Sequence, residues 1–160
     1  MAEQKAIASG LPVTYIATAA AHDQEMDDRI SHHQSRRPDH WLLVEEPLFL
    51  GRSIEQLNQK GNCLLIDCLT LWITNLLLKD DATFFEEQTA LLLKSLSQSN
   101  NHIILVSNET GMGVVPLGEI SRRFVDESGR LHQALASIAD KVTLSVAGLP
   151  MILKDNIDTL

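Results

Sequence analysis

Cysteine is nearly absent from this chain of 160 residues: only Cys63 and Cys68 occur, both inside an apolar run. That excludes a disulfide-stapled scaffold and fits thiols that behave as small buried hydrophobes in a reducing compartment. Aromatic residues are also scarce, at 4%. With no basic patch beside them, Trp41 and Trp72 read as core or interface residues rather than platforms for stacked bases. Positive charge is short as well, 13 Lys and Arg against 21 Asp and Glu, for a formal net charge of -8. That balance disfavours nucleic-acid backbones and anionic membranes as partners, so an anionic substrate has to be held by local arginines or a metal. There is no long hydrophobic run either. The most apolar segment, Leu64 to Leu78, is interrupted by Asp67, Thr70, Thr74 and Asn75, too polar and too short for a membrane span. The start, MAEQKAIASG, has no basic stretch leading into an apolar one, so a signal peptide is not expected and the cytoplasm is.

What is present is ordinary globular chemistry, 44% hydrophobic and 21% charged, in a length that predicts one domain with no repeat or linker. Runs rich in branched aliphatics recur at Val13 to Ala17, Trp41 to Val44, Cys63 to Ile66, Ile103 to Val106 and Val142 to Val146, and these are read as strands. The last three are taken as strands covered on both faces, which suits a parallel sheet with helices on either side. Between them, Asp23 to Gln34, Leu69 to Leu78, Phe84 to Ser97 and Glu119 to Ala139 have helical composition, the last with a bend expected near Gly129. The alternation predicts an α/β domain whose ligands gather at the carboxyl ends of its strands.

Three constellations offer chemistry. After the first strand comes Asp23-x-Glu25-Met26-x-x-Arg29-x-x-His32-His33-x-x-x-Arg37. On a helix, Glu25, Arg29 and His32 share one face. A neutral imidazole there can attack phosphorus while Arg29, Arg36 and Arg37 hold phosphate oxygens. A solvated, salt-bridged helix with surface histidines explains the same spacing. One metal ion does not easily take both histidines, because neighbouring helical side chains diverge by about 100°. Next, the apolar run Leu64-Leu65-Ile66 ends in Asp67, the form that holds Mg²⁺ opposite nucleotide phosphates; a carboxylate that only caps the following turn is the alternative. Last, Val106-Ser107-Asn108-Glu109-Thr110-Gly111-Met112-Gly113 leaves a strand with two glycines, suiting either a close approach to a ligand or a plain turn. His22, His40, His102 and His132 stand isolated and receive no role.

Taken together, Tyr15-Ile16-Ala17-Thr18-Ala19 and the Asp23 to Arg37 pattern with Trp41 and Glu45 resemble the bifunctional adenosylcobinamide kinase/adenosylcobinamide-phosphate guanylyltransferase family. The likeness continues through Leu65-Ile66-Asp67-Cys68-Leu69-Thr70-Leu71-Trp72, Val106-Ser107-Asn108-Glu109 with Gly111-Met112-Gly113-Val114-Val115-Pro116, Gly129-Arg130-Leu131, and Val146-Ala147-Gly148-Leu149-Pro150. The resemblance implies a P-loop NTPase-like fold, a homotrimer and two reactions. One phosphorylates the hydroxyl of adenosylcobinamide with a nucleoside triphosphate, ATP or GTP; the other transfers GMP from GTP onto that phosphate through a guanylyl-histidine. The family's histidine falls on His32. Its nucleotide contacts map to Thr18, Ala19, Ala20, His33, Arg37, Glu45 and Asp67, with Asp67 also placing Mg²⁺.

One departure accompanies the resemblance. Family members begin with an apolar strand and a Gly-x-x-x-x-Gly-Lys-Ser loop, and no such motif occurs anywhere in this sequence. The expectation is therefore a transferase domain over 1–160 that starts after the loop, in a helix continued by Ala2-Glu3-Gln4-Lys5-Ala6. The competing expectation is an inactive fragment that keeps the fold, ligand binding or subunit contacts only.

Overall fold

The computed structural model describes residues 1–19 and 38–156. In chain order these form α1 (Ala2–Ala8), β1 (Val13–Ala17), β2 (Leu42–Glu45), α2 (Leu50–Gln56), β3 (Cys63–Asp67), α3 (Leu69–Leu77), α4 (Ala82–Gln98), β4 (His102–Val106), α5 (Glu119–Ile138), β5 (Lys141–Val146) and β6 (Leu149–Asp155). The helix expected over Asp23 to Gln34 lies outside the described residues. No helix among the described residues is long and apolar enough to cross a membrane.

Strands β1 to β4 make one parallel sheet in the order β2-β1-β3-β4. Ala17 pairs with both Glu45 and Asp67, and Asp67 pairs with Val106, so the four carboxyl ends lie side by side. Alternation along β3 sorts its side chains between two cores. Leu64 and Ile66 join Ile16, Ile54, Trp72 and Leu92 under α2 to α5, whereas Cys63 and Leu65 join Ala6, Val13 and Tyr15 on the face covered by α1. Helices on both faces are why β3 is apolar at successive positions. Each fully buried leucine or isoleucine here contributes about 1.5–3 kcal/mol relative to exposure.

Local chemistry sets the helix positions. The Asp81 side chain accepts from the Phe84 backbone N–H at 3.0 Å and starts α4. Gly51 lets α2 press against α4: a Cβ at that position would sit 2.8 Å from the Leu91 and Leu92 backbones. Helix α5 runs unbroken through Gly129, where a bend was expected. One glycine costs a helix interior only about 0.5–1 kcal/mol, too little to interrupt it.

The strand expected at Val142 to Val146 exists, but its place in a covered parallel sheet is corrected. As β5 it pairs antiparallel with β6 in a separate two-stranded sheet. Thr143 and Ser145 interleave with Val142, Leu144 and Val146, a period-two pattern suited to a sheet with one wet face. Ala147 and Gly148, both at positive φ (51° and 79°), close the two-residue turn.

Candidate functional site

The parallel sheet carries its polar groups at the carboxyl edge. Between β1 and β3 the connections diverge, since β1 continues to a strand on one side while β3 lies on the other. In open α/β sheets a crevice forms at such a point and takes ligands.

Asp67 ends β3 at this crevice and is half-buried. Its Oδ2 accepts a 2.5 Å hydrogen bond from the Tyr15 hydroxyl, two strand residues before Ala17. Among the described residues no protein donor engages Oδ1. Thr18 is fully buried, and its polar atoms tie the end of β1 to the end of β3 and to α3. Its N–H donates to the Asp67 carbonyl (3.2 Å), its Oγ1 donates to the Cys68 carbonyl (2.7 Å) and accepts from the Cys68 N–H (2.9 Å). Its own carbonyl accepts from Asn75 Nδ2 at 2.8 Å, and the same amide reaches the Pro47 carbonyl at 3.2 Å. The strand end is thereby held rigid, and Ala19 follows half-buried at the rim.

At the far edge Glu45 closes β2 with an exposed side chain. Its neighbour Glu46 is committed to the entry of α2: Oε1 accepts from the Leu48 and Phe49 N–H groups at 3.0 and 2.8 Å. Ala20, His32, His33 and Arg37 lie outside the described residues. The structure thus brings together Thr18, Ala19, Glu45 and Asp67 of the expected set. Trp72 is fully buried with its indole N–H on the Leu48 carbonyl at 2.9 Å, a core residue as expected.

Residues missed in the sequence complete this edge. Tyr15 reads only as a strand residue until its register with β3 is known. Thr70 and Asn75 interrupt the apolar segment but received no role; Thr70 Oγ1 accepts the Asn108 N–H at 2.9 Å and so anchors the loop after β4. In that loop Ser107 Oγ lies 2.7 Å from His132 Nε2, and His132 Nδ1 lies 3.7 Å from Glu109 Oε2. Beside the loop, an open cleft of about 400 Å³ is lined by Thr74, Leu77, Thr110, Val114, Ile120 and Phe124.

Of the two thiols, burial pushes Cys63 above its ordinary 9.0, with a hydrogen bond from Ser9 acting in the opposite direction. Cys63 is thus an inert core group rather than a nucleophile.

This geometry defines an α/β protein with a four-stranded parallel sheet flanked by helices, consistent with a P-loop NTPase-like fold. Residues 1–153 match the family described as cobinamide kinase / cobinamide phosphate guanyltransferase. The chain is 56% identical over 154 residues to the bifunctional adenosylcobalamin biosynthesis protein CobP of Pseudomonas aeruginosa, covering 96% of this chain and 89% of that protein. It is 34% identical over 155 residues to the bifunctional adenosylcobalamin biosynthesis proteins CobU of Escherichia coli and of Salmonella typhimurium, covering 89% of this chain and 86% of each. The chain belongs to the cobinamide kinase / cobinamide phosphate guanyltransferase family, enzymes of cobalamin biosynthesis that act as transferases on a corrinoid.

Proposed function

We propose that residues 1–160 act as one cytoplasmic transferase domain, assembled as a homotrimer, that uses ATP or GTP to phosphorylate adenosylcobinamide and then transfers GMP from GTP onto the product. His32 is the nucleophile at the α-phosphorus of GTP: its nitrogen displaces pyrophosphate, and the corrinoid phosphate then displaces the histidine. His33 and Arg37 hold phosphate oxygens, and Ala19, Ala20 and Glu45 contact the nucleotide. Thr18, with its polar atoms committed to β3 and α3, contributes the shape of the crevice wall.

The observation that carries this reading is the setting of Asp67. A hard cation such as Mg²⁺ keeps most of its waters and uses one or two carboxylates beside the substrate phosphates. Asp67 fits that demand: its Oδ2 is fixed by Tyr15, and among the described residues no protein donor engages Oδ1. Mg²⁺ bound there would supply charge neutralisation of the phosphates.

The test is incubation with Mg²⁺ and GTP labelled at the α-phosphorus. Acid-labile label on His32, lost in His32→Ala and reduced at least about tenfold in Asp67→Asn, supports the reading. A folded protein that binds GTP yet acquires no label on His32 sinks it.

A further inference from the structure

Of the expected nucleotide contacts, Thr18 and Ala19 follow β1 and Glu45 ends β2, while a hydrogen-bonded group beyond β4 at the other edge of the sheet has no assigned part. Glu45, Ala17 and Asp67 end β2, β1 and β3, and Ser107 follows β4. Neighbouring strands lie about 4.8 Å apart, so Ser107 stands roughly 5 Å from the Asp67 strand and roughly 14 Å from the Glu45 strand.

We propose that Ser107, backed by His132 and Glu109, receives the proton of the substrate hydroxyl in the kinase half-reaction. The 2.7 Å contact sets Ser107 Oγ on the Nε2 nitrogen. The other ring nitrogen faces Glu109 Oε2 at 3.7 Å, which favours a proton on Nδ1 and leaves Nε2 as the acceptor. Glu109 is itself held, because its Oε1 accepts the Gly111 N–H at 2.6 Å. A hydroxyl on a base that is in turn oriented by a carboxylate is the arrangement that moves a proton off oxygen.

Among the described residues, Glu109 is the charged group within ion-pair distance of the imidazole. On its own helix Arg130 is turned to Glu127 at 2.8 Å. Helix α3 carries no charged residue, Glu86, Glu87 and Lys94 of α4 are exposed to solvent, and His102 lies at the opposite end of β4. Three residues after Ser107 the same loop reaches the cleft, where Thr110 lines it with Val114 and Phe124 and leaves room for an acceptor substrate next to this loop.

In the step, the cobinamide hydroxyl oxygen forms a bond to the γ-phosphorus, and the bond from that phosphorus to the β–γ bridging oxygen breaks. The bridging oxygen leaves with the electron pair on the nucleoside diphosphate. The hydroxyl proton passes to Ser107 Oγ as the Ser107 proton passes to His132 Nε2, and the half-buried ring then releases it to solvent. Ser107 is the group that touches substrate; His132 and Glu109 act through it and position it.

The inference rests on the kinase activity of the family, not on His32. Cobinamide phosphorylation by ATP is measured against pH, with GMP transfer to cobinamide phosphate on the same preparations. His132→Gln is expected to lower the ratio of kinase to transfer rate about 100-fold or more, in kcat with KM within about threefold, and to remove the acid limb of the kinase pH profile. Ser107→Ala changes the ratio in the same direction, and Glu109→Gln shifts that limb. An unchanged ratio, or a lower one with the acid limb intact, overturns the proposal. A readout free of turnover accompanies it: ¹⁵N spectra of histidine-labelled protein. The expected result is Nδ1 protonated and an Nε2 signal that responds to cobinamide in the wild type but not in Ser107→Ala. The opposite tautomer, or no response to cobinamide, overturns the proposal even if His32 is labelled by GTP.

Discussion

The Tyr15 hydroxyl and Asp67 Oδ2, 52 residues apart in the chain, meet at 2.5 Å across adjacent parallel strands. This bond converts a carboxylate at a strand end into an oriented one, with one oxygen committed to the tyrosine. Tyr15→Phe removes only the donor. Hydrogen bonds to charged groups contribute about 1.5–3 kcal/mol, so urea denaturation should show a loss within that range. Nucleotide-dependent transfer should fall as well, because Asp67 loses its fixed rotamer; a variant as stable and as active as wild type would show the bond to be idle.

Two helical glycines should respond to alanine with opposite signs. At Gly51 the new methyl meets the α4 backbone at 2.8 Å, and overpacking of this kind costs about 1–3 kcal/mol. At Gly129 nothing lies within 4 Å, so alanine should stabilise α5 by about 0.5–1 kcal/mol. Thermal melts of the two single variants test the pair directly.

Ala147 holds φ 51° in the β5–β6 turn, a conformation that disfavours a side chain without a local hydrogen bond. Ala147→Asn places the residue preferred at the first position of such a turn beside Gly148. A rise in stability of up to about 1 kcal/mol is expected. An unchanged or lower melting temperature would show that the turn is set by the strands instead.

The raised Cys63 thiol makes stability fall with alkali. The unfolded thiol loses its proton near 9.0, whereas the folded one keeps it to higher pH, so above that value the unfolded state binds fewer protons and gains relative stability. Below 9.0 the group is neutral in both states and contributes no slope. Denaturation midpoints measured upward from that pH should decline more steeply for wild type than for Cys63→Ala. In the native state, thiol reagents should leave Cys63 unmodified until the protein unfolds.

Much of the fold was legible because periodicity reports burial. Of the three runs read as apolar at successive positions, those at Cys63 and Ile103 became β3 and β4 of the parallel sheet, and the one at Val142 went to the separate antiparallel pair. Helices α3, α4 and α5 begin and end within two residues of their expected limits. Helix α2 was not expected: it has seven residues, and Gly51 within it reads as a loop signal until its closeness to α4 supplies the reason for a glycine. Strand β6 was missed too, since Pro150 argues against a strand, although an edge position tolerates it.

The site divides along the same line. Asp67 stood out from one stretch of chain, as a carboxylate closing an apolar strand. Tyr15, Asn75 and His132 received no role, because each acquires its meaning from a partner far off in sequence, at separations of 52, 57 and 25 residues. The sequence by itself determined the family, the parallel α/β build and the strand-end carboxylate, since composition, periodicity and ordered motifs are properties of the chain. Tertiary structure alone decided which oxygen of Asp67 is occupied, why Thr18 is locked, and that Ser107 lies on His132. Those depend on strand register and helix packing, and a single step of register would exchange one face of the sheet for the other.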